Sequence, residues 1–287
     1  MKSSARDEAP GSRSPPGELE LHVRRAWRLS QRSPVVASIQ LALFAGLVVW
    51  LSVKGAQQMG YNWQWYNIPQ YIWREVDGEF IWGPLMKGLW VTLEISFWCI
   101  GLALVVGLVT ALLRMSRSIA GSGLATAYLE IVRNTPLLVQ LYLFYFVLSP
   151  ILGIDRFWTG VVCLTLHEAS FVAEIIRAGI NSVDRGQWEA SDSIGLTRVD
   201  VYRYVVLPQA VPLMLPPLTG QIINLIKHSA IVSVIAVSDL TTEGRNLIAD
   251  TFMSFEVWFT VAGIYLVITV SLSVFVSYLE HRVKVDR

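Results

Sequence analysis

Long apolar stretches separated by short polar segments occupy most of this chain. A helix needs roughly 20 mostly apolar residues to cross the hydrocarbon core of a bilayer, which is about 30 Å thick. Six stretches approach or exceed that length, and they are 35–53, 91–113, 136–152, 157–176, 209–237 and 257–279. The pattern therefore predicts an all-α integral membrane protein with six transmembrane helices. Because a long basic lead precedes the first stretch and no A-x-A cleavage motif follows it, we expect a retained anchor.

The distribution of positive charge predicts the orientation of these helices, because Lys and Arg resist translocation. With a cytoplasmic N-terminus, 17 of the 23 Lys and Arg residues fall in inward-facing segments, five fall in outward-facing segments, and Lys227 lies within a span. The predicted domains follow from this orientation. They are a disordered basic cytoplasmic tail at 1–34, the anchor at 35–53, a periplasmic loop at 54–87, a transmembrane domain at 88–280 and a cytoplasmic tail at 281–287.

Composition supports a membrane location and excludes several other classes. Of the 287 residues, 53% are hydrophobic and only 16% are charged, whereas soluble domains carry about 25% charged residues. The formal net charge of +1 gives no reason to expect a nucleic-acid partner. Cys99 and Cys163 both lie inside apolar stretches, which excludes a disulfide scaffold and a cysteine metal site.

Polar residues inside a span are costly and usually functional, so they are the first candidates for chemistry. In the fourth span, His167, Ser170, Glu174 and Arg177 recur at helical spacing and predict a polar stripe that faces protein or water. This stripe could line a substrate passage or hold helices together. We expect Glu174 and Arg177 to form a structural pair. His167 and Glu168 are candidates for the passage, because Glu168 lies on another face and has no local partner.

His167 and Glu168 also begin like the zinc-protease motif H-E-x-x-H, but Phe171 occupies the position of the second histidine. The chain contains only four histidines and has no G-x-S-x-G motif. We therefore expect neither a bound metal nor an enzyme.

Four prolines lie immediately before and within the first third of the fifth span, namely Pro208, Pro212, Pro216 and Pro217. Proline removes a hydrogen-bond donor and kinks or breaks a helix, so we do not expect one straight rod. Asn224, Lys227 and His228 follow at positions i, i+3 and i+4, close together on one face. This cluster favours a polar passage or gate. The alternative is that Lys227 extends to the outer headgroups.

The loop at 178–208 is the longest predicted cytoplasmic loop between two spans. Two short amphipathic helical stretches flank Gly195, and we expect Pro208 to end the second stretch at the membrane. An ordered, charged helix pair of this kind predicts a docking surface, whereas the alternative is a simple tether.

Three runs in this sequence resemble the permease subunits of ABC importers. The loop residues Glu189-Ala190-Ser191, Gly195 and Leu207-Pro208 are similar to the motif E-A-A-x3-G-x9-I-x-L-P. The runs RNTPLLVQL at 133–141 and AEIIRAGI at 173–180 resemble R-G-T-P-L-L-V-Q-L and A-E-I-x-R-G-G-I of polar amino-acid permeases of the His/Glu/Gln/Arg type. The likeness covers about 88–279, which contains five spans. Ser191 replaces the third alanine of the motif, and His228 replaces an acidic residue of a K-D-T-S-type run.

The resemblance implies a five-helix type I importer core with an extra N-terminal helix. It also implies an ATPase-coupling loop with the residues Glu189, Ala190, Ser191, Gly195, Leu207 and Pro208. The implied partners are two ATP-binding cassette subunits, a second permease subunit in a homodimer or heterodimer, an external amino-acid-binding protein and the lipid bilayer. Because the chain lacks G-x-x-x-x-G-K-[ST], we expect it to bind no cofactor itself, and we expect the ATPase subunits to hold ATP and Mg.

The sequence thus predicts the permease of an ATP-driven importer of polar amino acids in a bacterial inner membrane, with both termini cytoplasmic. The predicted substrate passage comprises His167, Glu168, Asn224, Lys227 and His228. A passive channel or a secondary transporter for a small polar solute is the alternative, although neither needs a pair of docking helices.

Overall fold

The computed structural model describes the backbone of residues 34–283 and the side chains of residues 35–278. The predicted tails fall almost entirely outside this range, since residues 1–33 and 284–287 are not described. The chain divides into two units, Met1–Asn62 and Trp63–Arg287. The first unit contains helix α1 (Pro34–Gln58), which extends the predicted anchor at 35–53 by one residue at its start and five at its end.

The second unit begins with an ordered segment where the sequence predicted only a periplasmic loop at 54–87. A 3-10 turn (Trp65–Asn67) and the short helix α2 (Pro69–Ile72) lead into the strands β1 (Trp73–Val76) and β2 (Glu79–Trp82). The strands form an antiparallel hairpin, and its turn residues Asp77 and Gly78 have φ values of 54° and 79°. Positive φ at both positions matches the right-handed twist of a two-residue hairpin. The hairpin is the exception to the predicted all-α fold.

The rest of the second unit is mainly helical up to Val283, where the described residues end. Its elements are α3 (Pro84–Met115), α4 (Ile119–Arg133), α5 (Leu137–Leu143), a π turn (Phe144–Leu148), α6 (Ser149–Leu152), α7 (Arg156–Asn181), α8 (Arg185–Ser193), α9 (Arg198–Asp200), a second π turn (Val201–Val206), α10 (Leu207–His228), a 3-10 turn (Ser229–Ile235), α11 (Leu240–Thr251) and α12 (Ser254–Val283).

Within the described residues, five helices are long and apolar enough to cross a membrane, and a bent pair supplies a sixth crossing if it counts as one span. The pair joins Ile119–Arg133 to Leu137–Leu152 at an angle of 108°. The predicted third span at 136–152 is therefore only the second arm of this pair, because 16 helical residues reach only about 24 Å. Helix α4 was not predicted. With the bent pair included, the prediction of six spans is confirmed.

The proline-rich helix is continuous from Arg198 to Ile235, so the prediction that Pro208 ends the second loop helix is wrong. Pro208 lies in the first turn of α10, immediately after the π turn Val201–Val206. A π turn and a helix start both leave backbone groups without regular α-helical partners, so a proline can be placed there at low cost. The helix changes from π to α to 3-10 geometry along its length and is not a uniform rod.

Helix α3 packs along α7 at the centre of the second unit. A Cβ added at Gly107 of α3 would lie 2.6 Å from Cγ1 of Val172 and 3.1 Å from the backbone oxygen of Ala169. The two helices approach this closely because position 107 has no side chain.

Gly107→Ala is expected to lower the free energy of unfolding by about 1–3 kcal/mol, because the new methyl group overpacks the contact with Val172. Gly101→Ala on the same helix is the matched control, since nothing lies within 4 Å of the position of its added Cβ. The control gains helix propensity and is expected to be neutral or slightly stabilising. Thermal unfolding of both variants in detergent measures the difference, and equal melting temperatures would contradict the proposed contact.

The buried Asp239 begins helix α11 and accepts hydrogen bonds from the backbone N–H groups of Thr242, at 2.9 Å, and Thr241, at 3.2 Å. Burial raises the pKa of the Asp239 carboxyl, and the hydrogen bonds from Thr242 and Thr241 oppose that rise. The backbone oxygen of Asp239 lies only 2.8 Å from the position of a Cβ added at Gly88, so α11 packs directly on the first turns of α3.

Candidate functional site

The first candidate site is the segment of residues 185–208, here called the helix–glycine–helix segment. Asp184 caps α8 by accepting a hydrogen bond from the N–H of Gly186 at 2.7 Å. Gly195 then turns the chain with φ of +78°, a conformation that glycine adopts without steric cost. The Thr197 hydroxyl caps α9 by accepting from the N–H of Asp200 at 3.3 Å. These local signals make two helices meet at a glycine, as the sequence predicts.

Two apolar side chains on this segment are unusually exposed. Ile194 and Val199 are 76% and 74% exposed, and they flank Gly195. Glu189 is also exposed and forms an i,i+4 ion pair with Arg185 at 2.9 Å. Apolar residues displayed beside charged ones on a rigid segment are typical of a partner-docking surface.

The other predicted residues of the segment divide between surface and interior. Ala190, Leu207 and Pro208 are exposed, whereas Ser191 is buried and its hydroxyl donates to the backbone oxygen of Gln187 at 2.6 Å. The rings of Trp188 and Tyr202 meet edge to face at 5.5 Å, which fixes α8 against the second π turn. The ring contact therefore joins α8 to the start of the long helix that follows.

The second candidate site is a polar cluster between α7 and α10, here called the Glu168 cluster. Glu168 is fully buried, and its Oε1 lies 2.7 Å from Nδ1 of His228. Gln221 donates from its side-chain amide to the other carboxylate oxygen. Glu168 was predicted to have no local partner, and the two partners seen here come from a different helix. Positions 221 and 228 are two helical turns apart and thus share the face of α10 that meets α7.

His167 extends this cluster toward the bent pair of helices. Its Nδ1 lies 3.3 Å from Oε1 of Gln140, and its ring centroid is 6.2 Å from that of His228. The Gln140 amide donates to the backbone oxygens of Val132, at 2.7 Å, and Thr135, at 3.0 Å. Gln140 therefore connects the bend after α4 to the buried polar residues of α7.

Gln140 and Gln221 are site residues that sequence reasoning missed. Gln140 is the last residue of the run N-T-P-L-L-V-Q, and Gln221 is a polar residue inside a span. Either feature could have identified these two glutamines as candidate site residues. The predicted Asn224 and Lys227 lie on α10, half-buried and exposed respectively, outside the hydrogen bonds of the Glu168 cluster. Among the described residues, no three of His, Cys, Asp and Glu are arranged to hold a metal ion.

Glu174 forms the predicted pair with Arg177, at 3.1 Å, and the structure adds two further arginines. Arg114 at the end of α3 contacts Glu174 directly, and Arg133 at the end of α4 lies 3.9 Å away. The Glu174 carboxylate thus lies close to arginines from three helices and links these helices. Glu174 and the three arginines are here called the arginine junction.

Glu174→Gln is expected to destabilise the protein by about 1–2 kcal/mol, because three arginines would then converge without an anion. The partial exposure of these groups keeps the effect below that of a fully buried pair. Glu189→Gln is the matched control, since it breaks an exposed pair that contributes about 0.5 kcal/mol or less. Equal shifts of the melting temperature in both variants would argue against this structural role of Glu174.

Spanning helices, a buried polar cluster between two of them and an exposed helix–glycine–helix segment together define a membrane permease driven by a partner. The chain belongs to the family of binding-protein-dependent transport system inner membrane components, whose pattern matches residues 103–285.

Named relatives support this assignment. The chain is 40% identical over 200 residues to the probable glutamine ABC transporter permease protein GlnM of Bacillus subtilis, covering 69% of this chain and 93% of the relative. It is 36% identical over 217 residues to the glutamine transport system permease protein GlnP of Escherichia coli K12, covering 74% and 99%.

Solved structures agree with the fold. An amino acid ABC transporter crystallised with histidines is 40% identical and has a TM-score of 0.65, covering 69% of this chain and 94% of that chain. An inward-facing methionine ABC transporter, MetNI, shares the fold at 24% identity and a TM-score of 0.58, covering 70% and 96%.

These findings confirm the predicted ABC importer permease class and the type I importer fold. The chain is a membrane-embedded transporter subunit and not an enzyme, since ATP hydrolysis in this family belongs to separate ATPase subunits. Family membership also implies ATPase and substrate-binding partners in general.

Proposed function

We propose that this chain is the permease of an ATP-driven importer of polar amino acids, with glutamine as the first substrate to test. The Glu168 cluster is the observation that carries the proposal, because it places a buried carboxylate, two imidazoles and two amides between spanning helices. The names of the relatives in Bacillus subtilis and Escherichia coli support glutamine.

The substrate passage is proposed to run along the face of α10 that carries the Glu168 cluster. An amino acid presents both an ammonium and a carboxylate, and each needs a partner once water is removed. Glu168 can receive the ammonium, and Lys227 supplies a cation for the carboxylate. His167, His228 and Asn224 supply further polar contacts along the passage.

The helix–glycine–helix segment, within the predicted loop 178–208, is proposed to couple this passage to two ATP-binding subunits. ATP and Mg would be bound by those subunits, and this chain would bind no cofactor. A second permease subunit, identical or different, and an external binding protein would complete the importer. The exposed Ile194 and Val199 support docking at this segment, because apolar side chains of this kind gain from burial.

The orientation proposed from the charge distribution places both termini in the cytoplasm of a bacterial cell and residues 54–87 outside the inner membrane. A passive channel or secondary transporter is not favoured, since family membership and the docking segment both indicate a partner-driven mechanism.

Affinity purification of the detergent-solubilised complex, followed by mass measurement of every subunit, tests the proposal. We expect two ATPase subunits and two permease subunits, and we expect ATP-dependent glutamine uptake after reconstitution with the binding protein. Recovery of this chain alone, with transport retained, would contradict the proposed mechanism.

A further inference from the structure

The junction between the hairpin and helix α3 contains two adjacent grooves. The first has a volume of about 590 Å³ and is lined by apolar side chains that include Trp82, Met86, Leu89, Trp90 and Leu93. Trp90 is 71% exposed on a helix that crosses the membrane. This groove is therefore open toward the lipid side of α3.

The second groove has a volume of about 410 Å³ and is polar. Arg74 of β1, Lys87 of α3 and Glu243 of α11 contribute its charged side chains. Trp82 and Lys87 line both grooves, so the two volumes adjoin along these residues. Together they form one composite groove with an apolar part and a charged part.

The charged part is net positive. Arg74 and Lys87 are exposed, and within residues 35–278 no carboxylate lies within 4.0 Å of either cation. Burial, followed by the nearby Asp239 carboxylate, raises the pKa of Glu243, whereas Lys87 opposes the rise. An anion that enters the groove therefore meets two cations, Arg74 and Lys87, and one carboxylate, Glu243.

The backbone holds the composite groove in a fixed shape. The N–H of Gly83 donates to the carbonyl oxygen of Ile72 at 2.9 Å, which continues the hairpin into the start of α3. A Cβ at Gly83 would overlap the carbonyl oxygen of Tyr71, so only glycine allows this approach. These contacts fix the backbone from which the side chains of Trp82 and Lys87 extend into the groove.

We propose that this composite groove binds a membrane phospholipid, with an acyl chain against Trp82, Leu89 and Trp90 and the phosphodiester on Lys87 and Arg74. Basic groups placed where an apolar helix surface ends match the arrangement of a phospholipid, whose phosphate adjoins its acyl chains. Tryptophan is also enriched at the level of lipid headgroups, because its ring is apolar and its N–H is polar. A free amino acid would leave the apolar part empty.

The test uses the full-length chain, delipidated in detergent and titrated with phosphatidylglycerol or phosphatidylethanolamine under native mass spectrometry. The double variant Arg74→Gln, Lys87→Gln is expected to weaken the tightest lipid-binding step about tenfold, because it removes both charged contacts to the phosphate. Trp90→Ser is expected to weaken binding of the long-chain lipid by several-fold. The double variant should weaken the binding of both lipids, because phosphatidylglycerol and phosphatidylethanolamine share the phosphodiester.

Lys54→Gln is the matched control, because Lys54 is an exposed cation of the other unit. The proposal is overturned if the double variant binds lipid like the unaltered protein, or if Lys54→Gln weakens binding equally. It is also overturned if water-soluble glycerophosphoglycerol binds as tightly as the lipid, which would indicate a simple anion site. Unchanged lipid binding with weaker capture of the binding protein would instead identify a protein-docking surface.

Discussion

Glu168→Gln is expected to reduce glutamine uptake in proteoliposomes by tenfold or more while leaving insertion and subunit assembly intact. Glu168 is fully buried and pairs with His228 at 2.7 Å. The His228 side chain is 43% exposed, so water can replace the hydrogen bond that His228 loses, and insertion and assembly are expected to survive. The variant removes the carboxylate proposed to receive the substrate ammonium.

Glu174→Gln is the control for this experiment, since Glu174 lies on the same helix but belongs to the arginine junction. Uptake per folded transporter should stay within about twofold of the unaltered protein, because the control loses stability and no passage residue. Lys227→Met is expected to lower uptake as well. If Glu168→Gln and Lys227→Met transport normally while Glu174→Gln does not, the assignment of passage and junction is reversed.

Gly195→Val is expected to abolish the coupling of ATP hydrolysis to uptake. Gly195 has φ of +78°, and a β-branched residue in this region costs roughly 1–3 kcal/mol of backbone strain. Space is not the obstacle, since nothing lies within 4 Å of an added Cβ. The strain would instead reorient α8 relative to α9 and displace the exposed Ile194 and Val199 from their proposed partner.

Gly195→Asn is the matched control, because asparagine tolerates positive φ better than other residues with side chains. It should retain most of the uptake, whereas Gly195→Val should either release the ATPase subunits or leave them hydrolysing ATP without transport. Glu189→Lys, which reverses an exposed charge on the same surface, is expected to act like Gly195→Val. ATPase and uptake assays on the same preparation distinguish these outcomes, and normal coupling in both variants would refute the docking role.

The sequence predicted those parts of the fold that depend on local signals. The lengths of the apolar stretches located the long spans, and the two amphipathic stretches on either side of Gly195 predicted the helix–glycine–helix segment. The turn at Asp77-Gly78, flanked by aromatic and β-branched residues, also carried a hairpin signal. Treating 54–87 as a plain loop overlooked that signal.

Features that depend on contact between distant helices were not predictable. Glu168 lacked a partner in sequence because Gln221 and His228 lie more than 50 positions away and approach it only when α10 packs on α7. The effect of Pro208 was misjudged for a related reason, since the preceding π turn removes the need for the missing N–H. Helix α4 was overlooked because its glycines and serine at 121–123 weaken its helical pattern.

The unbroken helix from Arg198 to Ile235 gives the molecule a lever arm. The stretch from Arg198 to His228 measures roughly 45 Å at the α-helical rise. A tilt of about 10° at the Gly195 end would move the His228 end by about 8 Å, since displacement grows with the length of the helix. That distance far exceeds the 2.7 Å between His228 and Glu168. If this helix moves as one body in spite of its changes in geometry, a small rotation at the docking segment would separate His228 from Glu168.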